Sequence, residues 1–550
     1  MTLSDSAAMP EGREPASGAA PGRPRRALAR SAGVVGVATT TSRVLGLVRE
    51  QLLAYLFGAG NAVDAYNVAF RIPNLLRDLF AEGAMSAAFV PTFTRTLVRQ
   101  GRGPAWRLAS NVLTTLALAT GVLVAAGIMF AEPIVRLFAA DYAQVPGKLA
   151  LTVQLTRIML PFLTLIAVAA ALMGMLNALN RFFVPALSPA MFNVASIATM
   201  LLLVPVMPSI GLHPIAAVAA GVIAGGFAQL LGQVPLLRRE GFRYRPLIDW
   251  REPELRSILL LMGPGTFGLA ATQINIFVNT VLATGEGTGA VSWLNYAFRI
   301  MYLPLGIIGV SIATAAVPSI ARHAERDDHR GMRHEVANGL SMMLMLNLPA
   351  TAGLIVLAHP IVSLLFERGA FTAGDAVATA GALVAYAVGL AGYSAVRIAT
   401  PAFYALQESR TPVLVTAGSV VLNVALNLLL VRYFGYIGLA VGTSAAALVN
   451  ATVLLALLRR RLDGLEGRRL AGVLLRTLAA TLAMAAAAHA LTGTLAPLLP
   501  GDTLWMKLAR LGVTIGGAVA VLAVAARLAG LREMTDVLLA IAARLRRSRR

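Results

Sequence analysis

The amino-acid sequence predicts an all-α polytopic membrane protein of about fourteen transmembrane helices, built as two six-helix lobes from an internal repeat plus two extra C-terminal helices. Three observations predict it. Over 550 residues, 57% are hydrophobic and only 13% charged, with mean hydropathy +0.73; apolar runs of about 20 residues recur throughout, the length that crosses a bilayer. Arginine alternates between successive connections, as it does when one side of a membrane retains the positive charge. Finally, sequence pairs recur at one offset. Pro133-Ile134-Val135 returns as Pro360-Ile361-Val362, Pro185 as Pro412, and Val90-Pro91 as Val317-Pro318, each 227 residues on (360 − 133, 412 − 185, 317 − 90).

Taken in order, residues 1–30 are rich in Ala, Gly, Pro, Ser and Arg and read as a disordered basic tail with no cleavable signal. The first lobe covers 31–237, with spans at roughly 31–57, 62–94, 108–130, 149–173, 184–206 and 214–237. A cytoplasmic loop, 238–254, carries Arg238, Arg239, Arg243, Arg245 and Arg251. The second lobe, 255–458, holds spans at about 255–282, 289–320, 338–358, 376–402, 411–433 and 436–458. Spans at about 471–491 and 508–529 form an appended pair within 470–530, and 531–550 is a basic tail. The connections at Arg102, Arg243, Arg330 and Arg460 are arginine-rich, whereas those at Asn61 and His213 have no arginine. The former side is therefore expected in the cytoplasm, with both termini. Because the repeat spans an even number of helices, both lobes share one topology and an axis near the membrane normal is expected.

The net charge of +21 is carried almost wholly by arginine. In a soluble chain it would point to nucleic acid; here it belongs to the loops. Cysteine is absent, which excludes disulfides and thiolate sites. No G-x-x-x-x-G-K-[ST] motif is present, so ATP hydrolysis is not expected. Gly263-Pro264-Gly265 reads as a hinge or helix break, and His323, His329 and His334 as loop residues rather than metal ligands.

One stretch breaks the apolar rule. Ser42 to Pro91 carries Arg43, Arg49, Glu50, Asp64, Arg71, Arg77, Asp78 and Glu82 among Leu, Val, Ala and Phe. An ionised group at bilayer depth costs from about 2.5 to over 10 kcal/mol, so such residues mark a watery, protein-lined interior. The alternative is that some snorkel to a surface and the rest form structural ion pairs. Steps of 7, 3, 4 and 4 put Asp64, Arg71, Asn74, Asp78 and Glu82 on one helical stripe, with Arg77 about a quarter turn away. Arg43 and Arg49 point apart on a straight helix, and a bend at Gly46 would bring them together. In the second lobe, Asn295 and Ala297-Phe298-Arg299-Ile300 repeat Asn67 and Ala69-Phe70-Arg71-Ile72 at an offset of 228 (295 − 67), so Arg299 is the partner of Arg71. Up to five guanidiniums then face one central cavity. Arginine is permanently charged and forks onto phosphate oxygens, so an anion, most simply a phosphate or pyrophosphate, is the expected ligand.

The runs SRVLGLVRE, FGAG, DAYNVAFRIPNLL, FAEGAMSAAFVP and VSWLNYAFRI closely resemble the MviN/MurJ lipid II flippases of the multidrug/oligosaccharidyl-lipid/polysaccharide exporter superfamily, over about residues 31–530. The resemblance implies a bacterial inner-membrane protein that carries lipid II, the undecaprenyl-pyrophosphate-linked disaccharide pentapeptide, to the outer leaflet for peptidoglycan and cell-wall biogenesis. Its partners would be lipid II, membrane lipids and cell-wall synthesis proteins, with no nucleic acid and no cofactor. Sodium, protons or the membrane potential would supply the energy. Carried over position by position, important residues fall on Arg43, Arg49, Arg77 and Arg299, with Asp64, Glu82 and Ser292 at further motif positions. Relatives often have a base at Asp78 and acids at Phe298 and Tyr302, so Arg299 is expected to be less paired here. The resemblance also implies a groove for the polyprenyl tail at the last two spans. A cation site would fall on Asn279, Asn423, Asn427 and Thr443, although helix–helix hydrogen bonds are the expected role of these neutral side chains. Two further readings stand beside this one. A cation-coupled exporter of drugs or other lipid-linked oligosaccharides would want a dominant cavity acid, and a non-transporting envelope scaffold would want a domain-sized extension.

Overall fold

The computed structural model describes residues 23–78, 85–531 and 534, and every regular element among them is helical. The first lobe contains α1 (Arg23–Phe57), α2 (Asn61–Arg77), α3 (Met85–Gln100), α4 (Arg102–Met129), α5 (Ala131–Ala139), α6 (Lys148–Met159), α7 (Phe162–Ala178), α8 (Phe183–Leu203), α9 (Ala216–Leu231) and α10 (Val234–Arg239). The second contains α11 (Pro253–Thr284), α12 (Ala290–Pro304), α13 (Val310–Ala324), α14 (His329–Val356), α15 (Ala358–Phe366), α16 (Ala373–Val388), α17 (Leu390–Ala405), α18 (Arg410–Phe434) and α19 (Tyr436–Arg461). The appended pair is α20 (Gly467–Leu498) and α21 (Leu504–Leu528).

The repeat read from dipeptides reappears in element boundaries. Helix α4 and helix α14 are displaced by 227 residues at both ends (329 − 102, 356 − 129), and so are α5 and α15 (358 − 131, 366 − 139). Ten helical segments among the described residues are long and apolar enough to cross a membrane, against the fourteen spans read from sequence. The other four readings fall on α1, on α2 with α3, on α11, and on α12 with α13, the opening elements of each lobe. One of these is interrupted, by a turn of π-helix at Leu305–Gly309, and α1 and α2 carry most of the charged stretch. They are also the elements that build the site below.

Several boundaries differ from the sequence reading. Helix α1 begins at Arg23, inside the segment read as tail, while residues 1–22 lie outside the described residues. Of the basic C-terminal tail, only residues 531 and 534 are described. The span read at 149–173 is two helices broken at Leu160-Pro161, and that at 376–402 is two helices broken at Gly389. The connection before Lys148, read as a loop, contains α5 and a short 3₁₀ turn. Gly263-Pro264-Gly265 does not break α11, whose backbone stays helical through it. The buried residues of α20, Thr477, Ala480, Thr481, Met484 and Ala488, recur at helical spacing. They let α20 pack closely on α14 and α21, while Leu475 and Leu482 face outward.

Candidate functional site

Where α1 ends, the two lobes meet backbone to backbone. Gly58 turns the chain with φ +66°, and the Ala370 amide donates to Tyr55 O at 2.9 Å. A Cβ on Gly58 would drive into Ala370 O, and one on Gly369 into Tyr55 O, so only glycine permits this approach. Thr288 Oγ1 donates to Asn61 Oδ1 at 2.8 Å across the same seam.

Asp64 closes the seam. Fully buried on α2, it accepts from Gly289 N at 2.7 Å, Ser292 N at 3.1 Å and Ser292 Oγ at 2.7 Å, thereby capping α12 of the other lobe. Its second partner is Lys148 Nζ of α6 at 3.0 Å, which also lies 4.0 Å from the Tyr142 ring centroid. Asn67 Nδ2 reaches Ser292 Oγ at 3.3 Å. Desolvating such a pair is costly, and it holds because donors surround the carboxylate. Only two of the chain's 47 basic residues are lysines, and both are set against carboxylates: the other, Lys507, lies 3.5 Å from Glu367 and 2.9 Å from Ser363 Oγ.

Arg49 and Glu50 pair at 2.8 Å, and Glu50 also binds Arg299 Nη1 at 2.9 Å across the lobes. Arg299, expected to be underpaired, therefore has an acid from the opposing lobe. Arg49 also lies over the Phe192 ring at 5.3 Å. Arg43 goes elsewhere: a Cβ on Gly306 would sit 3.1 Å from Arg43 Nη1, so this guanidinium rests on a turn of π-helix (Leu305–Gly309) in the second lobe. Arg43 and Arg49 do not converge. Helix α1 runs through Gly46 without interruption. Arg77 pairs with Asp78 at 2.8 Å, and Asp78 Oδ2 accepts from Gln273 of α11 at 3.3 Å. Asn74 donates back to Phe70 O at 3.0 Å, and Glu82 lies outside the described residues.

Arg71 and Arg299, the repeat partners, come together in the wall of one cavity of about 570 Å³. Arg71 makes no hydrogen bond or ion pair with a described residue, and Arg299 is 45% exposed. Arg43, Arg49 and Arg77 do not line this cavity, so the five guanidiniums do not share it. Its remaining wall comes from α11, α12, α16 to α19, and includes Asn279, Asn423 and Thr443. Asn279, Asn423 and Asn427 do cluster, through Asn275, which sequence reading missed. Asn279 donates to Asn275 Oδ1 at 2.8 Å, Asn275 to Asn423 Oδ1 at 3.1 Å, and Asn427 to both Asn423 Oδ1 at 3.1 Å and Asn279 Oδ1 at 2.5 Å. Thr443 stays out of this network, donating to Leu439 O at 2.7 Å. Tyr302 accepts from Arg397 Nη2 at 3.0 Å. No group of three or more potential metal-ligating His or acid side chains occurs among the described residues.

Comparison with known proteins agrees with this architecture. Residues 53–509 match the family described as lipid II flippase MurJ. A probable lipid II flippase MurJ from Vibrio cholerae serotype O1 is 35% identical over 436 residues, covering 78% of this chain and 82% of its own length. The lipid II flippase MurJ of Burkholderia cenocepacia is 36% identical over 428 residues, covering 77% and 82%. A solved structure titled lipid II flippase MurJ, inward closed conformation, superposes with TM-score 0.73 at 25% identity, covering 90% of this chain and 98% of that one. An inward-facing multidrug resistance MATE transporter of the MOP superfamily shares the fold at TM-score 0.60 and 18% identity, covering 79% and 95%. With the matched region spanning most of both lobes, the chain belongs to the MurJ lipid II flippase family.

Proposed function

We propose that this protein is a lipid II flippase of the bacterial cytoplasmic membrane, working by alternating access with both termini in the cytoplasm. The observation that carries the reading is that Arg71 and Arg299 share one cavity wall, with no carboxylate among the described residues that line it, while Glu50 holds Arg299 from the side. Two guanidiniums contributed by different lobes make a site that one pyrophosphate can bridge only while the lobes are in a given relation. The seam at Asp64 and Gly58 acts as the extracytoplasmic gate: it is closed in this conformation, and opening it requires Asp64 to release the α12 cap. Arg43, Arg49, Arg77 and Glu82 serve the cargo on its way through rather than within the Arg71–Arg299 cavity. Asn74, Asp64 and Ser292 shape the path and the gate. The appended α20 and α21 hold the polyprenyl tail along their outward apolar face.

The membrane potential drives the cycle. A pyrophosphate carries about two negative charges, and moving each negative charge outward under an inside-negative potential is downhill by about 2.3 kcal/mol per 100 mV. Only the net charge moved counts, so arginines travelling with the phosphates reduce this. Depleting the protein from cells and assaying which leaflet holds lipid II tests the proposal. It predicts accumulation in the inner leaflet; unchanged outer-leaflet lipid II after depletion of the sole copy refutes it.

A further inference from the structure

We infer that the second-lobe cavity is the sugar subsite of the cargo, with phosphate at the Arg71–Arg299 wall and the adjoining sugar against Asn450, Ser419, Thr443 and the rings of Tyr386 and Tyr393. This rests on the lipid II reading and adds to it where in the molecule the headgroup sugar is read, and by what.

The chemistry of the wall selects among ligand classes. A cation is disfavoured: among the described residues two guanidiniums line the cavity and no carboxylate does, and the amide oxygens of Asn275, Asn279 and Asn423 each already accept an amide N–H from the ladder. A hydrocarbon tail would leave buried amides and hydroxyls without partners, at a cost for each. A bare anion would satisfy the arginines but nothing else. Asn450 Oδ1 is buried with no hydrogen-bond partner among the described residues, and it needs a donor that a phosphate does not have. The hydroxyls of Ser419 and Thr443 spend their protons on Val415 O and Leu439 O, so toward the cavity they too are acceptors. Donors at one wall and acceptors at the other fit a ligand that joins phosphate to hydroxyls. Tyr386 and Phe298 meet edge to face at 5.4 Å, and Tyr386 and Tyr393 present flat apolar surface to a sugar ring. A volume of about 570 Å³ falls within the roughly 300–1,000 Å³ of small-ligand pockets.

The test compares two probes on full-length protein in nanodiscs: lipid II, and undecaprenyl pyrophosphate, which lacks the sugars. The variants are Asn450→Leu, Tyr393→Leu and, as a milder change, Thr443→Val, each checked by its melting temperature. The inference expects about tenfold weaker lipid II binding for a lost buried hydrogen-bond partner, with undecaprenyl pyrophosphate binding unchanged within twofold. Folded variants that weaken both probes equally, or neither, overturn the sugar subsite and leave the flippase reading standing. Sodium-dependent stabilisation of the wild type that Asn423→Leu abolishes, with lipid II binding intact, overturns it in favour of a cation site. Wild-type protein that binds neither probe overturns the flippase reading and this inference with it.

Discussion

Replacing Lys148 by methionine removes one partner of a fully buried ion pair and leaves the other. Asp64 then keeps Gly289 N, Ser292 N and Ser292 Oγ but loses the only cation at 3.0 Å. Breaking such a pair costs about 3–5 kcal/mol, and the three surviving donors argue for the lower figure. The cost falls on the closed seam alone, because in an opened gate water solvates the carboxylate. A penalty of about 3 kcal/mol shifts the closed-to-open ratio by roughly a hundredfold. The seam offers its own reporter. Asn61 and Thr288 touch at 2.8 Å and the chain has no cysteine, so Asn61→Cys with Thr288→Cys should form a disulfide in the closed state. Lys148→Met should slow that cross-linking sharply. Adding Asp64→Asn to Lys148→Met should restore part of it, since a neutral amide is cheaper to bury than a lone carboxylate. Equal cross-linking rates with and without Lys148 would refute the claim that the pair holds the lobes together.

Three further outcomes are expected. Gly306→Val should crowd the Arg43 guanidinium and slow flipping severalfold, while Gly306→Val with Arg43→Ala should be no slower than Arg43→Ala alone; additive losses in a flipping assay would separate the two residues. Cysteines at Arg102, Arg243 or Arg330 should resist an impermeant thiol reagent in whole cells and one at His213 should react, whereas labelling of Arg243→Cys would invert the orientation. At the start of α14, hydrogen bonds from Gly331 N and His323 hold the Asp328 carboxyl below its ordinary value. A depressed folded value stabilises above the unfolded one and is lost as pH falls through the folded one, so melting temperature should drop as pH falls below about 4. Asp328→Asn should flatten that limb, and an unchanged acid limb would contradict the assignment.

The parts of the fold and site carried by local period and by the repeat were legible in the sequence. An offset of 228 made Arg299 the partner of Arg71, and they line one cavity. A spacing of four put Asn423 and Asn427 on one face, and they share a hydrogen bond. What depended on the contact between lobes was not legible. Glu50 sits beside Arg49 in sequence, and nothing local says that its other neighbour is Arg299. Lys148 lies at the mouth of an apolar run, where a lysine ordinarily snorkels, and only the approach of α2 buries it. Likewise, local spacing alone does not say whether a bend at Gly46 brings Arg43 and Arg49 together; a continuous α1 sends one to Gly306 and the other to Phe192.

The central claim is that Arg71 and Arg299 together carry an anionic headgroup across the membrane. It is tested most directly by following lipid II flipping in proteoliposomes under an imposed inside-negative potassium-diffusion potential, for the wild type and for Arg71→Ala with Arg299→Ala. The potential should accelerate flipping by the wild type, and the double variant should insert but not flip, with a lowered melting temperature because Glu50 keeps Arg49 and loses Arg299. A double variant that flips at the wild-type rate, or a wild type indifferent to potential but driven by a sodium or proton gradient, would contradict it.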